Sequence, residues 1–151
     1  MTNKEAKYIE VARRIDALCA GETDAVSLMA TISCELSQSF DYFDWVGFYR
    51  NVGEQTLKVG PYQGGHGCLV IPFDKGVCGA AARSREIQNV PDVNAIEDHI
   101  ACSSSTQSEI VLPVVVAGEL LAVLDIDSDQ PAMFDDVDEH YLSKILQVFN
   151  Q

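Results

Sequence analysis

Residues 110–126 read IVLPVVVAGELLAVLDI, and this stretch decides the architecture. Residues 110–116 are aliphatic and β-branched, the composition of a strand interior. Ala117-Gly118-Glu119 supplies a turn, and residues 120–126 form a second apolar run. Two such runs joined by so short a turn predict an antiparallel hairpin, because a parallel crossover needs about a dozen connecting residues. Pro113 has no N–H to give to a ladder, which points to an edge or a bulge at that position.

Upstream, Ile9, Ala12, Ile15 and Leu18 make a helical stripe over residues 4–20, ended by Gly21. Thr23 or Asp24 can cap a second helix carrying Leu28, Met29, Ile32 and Leu36 on one face. The period then changes. Residues 45–49, WVGFY, read as a strand, residues 51–55 as a turn around Gly53, and residues 56–59 as the returning strand. Residues 60–79 hold six of the ten glycines and read as loop, a short strand over 68–71, and a short helix over 77–83. Residues 91–108 form a long irregular stretch, and loops of that length in a small domain usually carry function. Downstream, residues 134–149 predict a helix capped by Asp135 or Asp136, with Glu139 in its first turn. Hairpins at the centre and helices at the chain ends predict an α+β sandwich rather than a Rossmann alternation.

The 151 residues suit one domain over 1–151, and 47% apolar content suffices for a real core. No apolar run is long enough to span a bilayer, and the first residues lack the apolar centre of a secretory signal, so the expectation is a cytoplasmic protein. The net charge of −13 is concentrated: residues 86–143 hold 13 acids and no Lys or Arg. That block argues against nucleic acid or an anionic membrane as partner, since both need a basic face. It is compatible with a cationic ligand or simply with a solvated surface.

Five cysteines without a secretory signal do not suggest a disulfide scaffold. Cys19 and Cys34 fall in helical patterns, where inert buried thiols are the rule. Cys68, Cys78 and Cys102 fall in Gly- and Ser-rich sequence, within reach of a small molecule. A zinc site built from these three with His66 or His99 matches no standard module, because no C-x-x-C pair occurs. One thiol that attacks and a second that resolves would suffice for redox chemistry on a reducible ligand. Asp125 and Asp127 lie two apart at a strand end and so share a face; with Glu109 they can hold an ammonium group or a metal, or deliver a proton. Trp45 and Tyr49 also share a face. An aromatic run in a strand is ordinarily core, but this pair can also wall a pocket for a methyl group.

The segments GPYQG (60–64), Cys68, Ile71-Pro72, GVCG (76–79), VPDV (90–93), HIAC (99–102), SEIV (108–111) and LDIDS (124–128) occur together in order and spacing. In this the sequence resembles the free methionine-(R)-sulfoxide reductases, which are single GAF-domain enzymes; the match runs from about Trp45 to the final helix. The resemblance implies a GAF-like antiparallel sheet of six strands flanked by N- and C-terminal helices. It implies reduction of free L-methionine-(R)-sulfoxide to L-methionine through a cysteine sulfenic acid and an intramolecular disulfide, with thioredoxin as reductant and no metal or cofactor. It assigns Cys102 as the attacking thiol, Cys68 as the principal resolving thiol and Cys78 as an auxiliary one. Glu109, Asp125 and Asp127 become the carboxylates of the substrate pocket, and Trp45 and Tyr49 the wall around the substrate methyl group. A homodimer is one arrangement open to such a protein. Two positions depart from the family pattern: Ser103 stands where an acid usually follows the attacking cysteine, and Val70 where an Arg is common. The rival readings are a non-catalytic GAF sensor, which needs no reactive thiols, and a metal-dependent enzyme.

Overall fold

The structure is a computed structural model describing residues 1–100 and 102–151. Its first helix, α1 (Asn3–Cys19), opens on a capping box: the Glu5 N–H donates to the Thr2 hydroxyl, and the Thr2 N–H donates to the Glu5 carboxylate. Helix α2 (Ala25–Ser39) is capped by Asp24, whose carboxylate accepts from the Ser27 N–H at 3.0 Å. Strands β1 (Trp45–Asn51), β2 (Thr56–Gln63) and β3 (Val70–Pro72) follow, then helix α3 (Gly76–Ser84) and β4 (Gln88–Val90). The predicted hairpin is β5 (Ser108–Val116) and β6 (Glu119–Ser128). Helix α4 (Asp136–Ile145) and a 3-10 turn, Leu146–Asn150, end the chain, so the expected single helix over 134–149 is split in two.

All six strands join one antiparallel sheet in the order β3-β2-β1-β6-β5-β4. The short strand expected at 68–71 begins later, at Val70, which leaves Cys68 in loop. Pro113 lies in β5 beyond the reach of β4, which pairs only with Glu109, Ile110 and Val111, and the ladder to β6 shifts register just past it, between Val114 and Val115. The missing N–H therefore faces no partner strand, as its chemistry requires.

Side-chain alternation gives the sheet two unlike faces. Val46, Phe48, Ile110, Leu124 and Ile126 pack beneath α1, α2 and α4, with Ile15, Ile32 and Leu142 among their neighbours. The layer over this face also holds a buried carboxylate. Asp138, fully buried on α4, accepts from the Tyr8 hydroxyl at 2.7 Å, the Lys4 ammonium at 2.8 Å and the Tyr42 hydroxyl at 3.2 Å. A buried charge is tolerable with that many donors, and here they tie α4 to α1. The opposite face carries Trp45, Tyr49, Val111 and Val123 beneath Val77, Cys78 and Ala81 of α3. Odd-numbered residues of β6 point this way, so Asp125 and Asp127 follow Val123 onto the face of α3 rather than onto the helical layer. Among the described residues, no helix is long and apolar enough to cross a membrane.

Candidate functional site

The sheet register assembles the site. Trp45 of β1 stands opposite Asp127 of β6, which stands opposite Glu109 of β5; in the next row on the same face, Gly47 stands opposite Asp125. Three acids from two strands thus become neighbours. Helix α3 lays Cys78 over them, and the Cys78 sulfur and one carboxylate oxygen each of Glu109 and Asp125 lie within 4.8 Å of one another. Glu109, Asp125 and Cys78 are buried, at 6%, 4% and 4% exposure.

Burial, followed by the negative charge of the neighbouring carboxylates, pushes the pKa values of Glu109 and Asp125 well above the ordinary carboxylate range. Asp127 is lifted in the same way, by burial and then by Glu109. Burial also raises the Cys78 thiol, with Asp125 adding to it, and raises the Tyr49 phenol. Burial and mutual repulsion thus favour the protonated forms of these acids. His99, whose Nε2 lies 3.8 Å from Glu109, is pushed down by burial and stands there as a neutral imidazole. Oδ1 of Asp125 and Oδ1 of Asp127 are buried with no hydrogen-bond partner among the described residues, an arrangement that calls for a missing donor.

The wall is aromatic. The Trp45 ring stacks between Tyr49, at 5.6 Å and 20°, and Tyr62, at 5.2 Å and 21°, and its indole N–H donates to the Gly65 carbonyl at 2.9 Å. Gly47 makes this possible, since a Cβ there would fall 2.6 Å from the Trp45 ring. Gly67 does the same for the loop carrying Cys68: a Cβ would fall 2.8 Å from Trp45 and 2.9 Å from the Tyr49 hydroxyl.

The cap is the stretch predicted to be a functional loop. Its ends are pinned by the Val93 N–H donating to the Gln107 carbonyl at 3.0 Å and the Gln107 N–H donating to the Ser128 carbonyl at 2.8 Å. Between these pins Cys102 reaches across to Cys68, and the two form a disulfide with Cα atoms 5.3 Å apart. Ala101, quoted above in the HIAC segment, lies outside the described residues. Cys102 borders two spaces. A cleft of about 550 Å³ is lined by Trp45, His66, Cys102, Thr106 and Asp127. A cavity of about 20 Å³ is lined by His99, Cys102, Glu109, Asp125 and Asp127, room for a single water.

All eight residues singled out from sequence thus lie in one region. Cys34, expected to be buried, is only half-buried, against the Gln38 amide; Cys19 is buried as expected. Three features escaped the sequence reading: Tyr62 as a third ring, Gly47 as the gap that admits Trp45, and His99 beside Glu109. Pairing residues 45–51 with 56–63 would have found the first two together, because Tyr62 stands opposite Gly47.

Residues 24–151 match the family model described as GAF domain. The chain is 40% identical to the free methionine-R-sulfoxide reductase of Escherichia coli, over 95% of this chain and 87% of the relative. It is 37% identical to the enzyme of that name from Saccharomyces cerevisiae, over 99% and 87%. Its fold superimposes with a TM-score of 0.92 on the free methionine-R-sulfoxide reductase of Neisseria meningitidis, solved with its substrate, at 41% identity over 99% of this chain and 89% of that one.

Proposed function

The chain belongs to the GAF-domain family and, within it, to the free methionine-(R)-sulfoxide reductases, and from that premise we propose that Cys102 and Cys68 reduce free methionine-(R)-sulfoxide to methionine. The observation that carries this reading is that Cys102, bonded to Cys68, lines both the cavity bounded by Glu109, Asp125 and Asp127 and the cleft bounded by Trp45.

In the reduced protein the Cys102 thiolate attacks the sulfoxide sulfur. The Glu109–Asp125–Asp127 cluster, whose raised pKa values favour the protonated forms, gives a proton to the sulfoxide oxygen as the bond between the two sulfurs forms. The hydroxyl then passes to the Cys102 sulfur while the bond to the methionine sulfur breaks, so methionine departs and Cys102 is left as a sulfenic acid. Cys68 then attacks the Cys102 sulfur and water leaves, with formation of the disulfide. Two electrons from a dithiol reductant of the thioredoxin type restore both thiols. Half-buried Cys68, followed by exposed Leu69 and by exposed Val70 at the start of the edge strand β3, is the sulfur within reach of such a partner.

The same acids account for selection of the free amino acid. Its ammonium group supplies the donor that Asp125 Oδ1 and Asp127 Oδ1 lack, and a peptide-bound residue has none to offer. The substrate carboxylate, with no Lys or Arg in residues 86–143, falls to backbone N–H groups of the Cys102 loop. The Trp45 and Tyr49 rings receive the methyl end. Cys78, buried on α3 over the acids, stands in reserve as a further thiol. We assign the whole chain to one GAF domain working in the cytoplasm.

The test pairs turnover with thiol counting. Cys102→Ser should lower turnover of free methionine-(R)-sulfoxide about a thousandfold or more. The reduced parent, given substrate without reductant, should lose two thiols per chain. Full turnover in the variant removes Cys102 from the reaction, and no turnover and no thiol loss in the parent return the protein to the ligand-binding GAF sensors. The R epimer should react and the S epimer should not, and the free amino acid should be preferred to a peptide.

A further inference from the structure

We propose that Cys78, Glu109 and Asp125 form a binding site for one thiophilic divalent cation of the Zn²⁺ class, open in the reduced protein and closed by the Cys68–Cys102 disulfide. The donor set is assembled without any ion: one sulfur from α3 and one oxygen each from β5 and β6, all within 4.8 Å of one another and all on buried residues. Tetrahedral Zn²⁺ with mixed sulfur and oxygen ligands needs donors about 3.5 Å apart, so side-chain adjustments of about an ångström suffice.

A second observation is independent of that clustering. Asp125 Oδ1, on a residue 4% exposed, and Asp127 Oδ1 are buried without a hydrogen-bond partner among the described residues. They leave acceptor capacity on the floor where a cation would sit, and Asp127 or a water can complete the fourth position. No Lys or Arg in residues 86–143 competes for the same space. The thiol decides which cations fit. A thiolate and so few oxygens suit Zn²⁺, Cd²⁺ or Co²⁺ and suit Mg²⁺ and Ca²⁺ poorly, since those demand six or more oxygens.

Access decides when the site fills. In the disulfide-bonded form the cavity over the cluster is about 20 Å³ and Cys102 forms part of its lining. Breaking the bond frees that lid. Binding displaces the thiol proton and the protons held among the carboxyls into solvent, with Asp127, His99 and Tyr49 as the other titratable groups facing the ion. An ion seated there occupies the place given above to the substrate ammonium, so Zn²⁺ becomes an inhibitor of the reduced enzyme. That consequence rests on the proposed function; the site itself does not.

Co²⁺ provides the probe. Titrated anaerobically into the phosphine-reduced protein at pH 7.5 (about neutral, where protons can be displaced), it should give a sulfur-to-cobalt charge-transfer band in the near ultraviolet that saturates at one equivalent. The band should persist in a Cys68→Ser/Cys102→Ser double variant, vanish in Cys78→Ser, and need about tenfold more Co²⁺ in Glu109→Gln. The oxidised protein should give no band. Circular dichroism establishes that the variants are folded, and Glu109→Gln serves should Cys78→Ser fail to fold. The proposal falls if the parent gives no band at one equivalent. It falls equally if the band depends on Cys68 and Cys102, or if Glu109→Gln leaves the titration unchanged.

Discussion

At the scale of single residues, the cost of this site is concentrated in Glu109, Asp125 and Asp127. Burial raises their pKa values above those of the unfolded chain, so folding favours their protonated forms. Their contribution to stability is complete below the ordinary carboxylate range, about pH 4, and is lost as the pH rises through the lifted values. Asp24 acts oppositely: the Ser27 N–H holds its pKa down, so its share is present above that range and lost as the pH falls. Removing one buried acid should therefore stabilise the protein in alkali while damaging function. Asp125→Asn is expected to exceed the parent by about 1–3 kcal/mol at pH 8, with the gap closing toward pH 5, as read by urea unfolding at both values. Equal loss of stability at both would contradict the account. Sequence showed Asp125 and Asp127 sharing a face, from period-two alternation alone. It could not show that Asp138, a few residues on in the same acidic block, serves a different purpose, because its partners Lys4 and Tyr8 lie more than a hundred residues away.

At the scale of elements, the hairpin of β5 and β6 was legible because its composition, its turn and its proline agree. The strand starting at Trp45 was legible too, but its centre was not. Gly47 looked like an ordinary small residue until β2 brought Tyr62 opposite it and Trp45 lay across the gap. Gly47→Ala should therefore tilt Trp45 out of its stack with Tyr49 and Tyr62. Expected are a loss of about 1–3 kcal/mol from overpacking and a raised KM for the free sulfoxide, with a shift in tryptophan fluorescence (Trp45 is the sole tryptophan). A variant with unchanged fluorescence and KM would mean that the stack has no part in the pocket. The final helix was read too long for a related reason. Apolar spacing continues through Leu146, Val148 and Phe149, all buried, yet the last turn tightens to 3-10 geometry as these side chains close the core.

At the scale of the whole molecule, the sheet separates two tasks. One face holds the α1–α2–α4 layer and most of the core, and the other holds α3, the aromatic wall and the acids. That division follows from alternation and could be anticipated in outline. The meeting of Cys68 with Cys102 depends instead on where two loops land, which the resemblance implied but spacing alone did not. The bond closes a segment of 34 residues containing β3, α3 and β4. On chain-entropy grounds it should be worth about 4 kcal/mol, so the oxidised form should melt about 10 °C above the reduced one in calorimetry. Identical melting temperatures would place the bond outside the folding unit.

That cross-link makes resilience a by-product of use. In the proposed cycle each reducing event would leave the chain stapled, and each visit by the reductant would unstaple it. The segment between the two cysteines is thus most open to proteases when the molecule is charged and idle, and best shielded when electrons run short. A cell under oxidant load would hold its copies in the durable state, so resistance to limited digestion becomes a gauge of the balance between demand and supply.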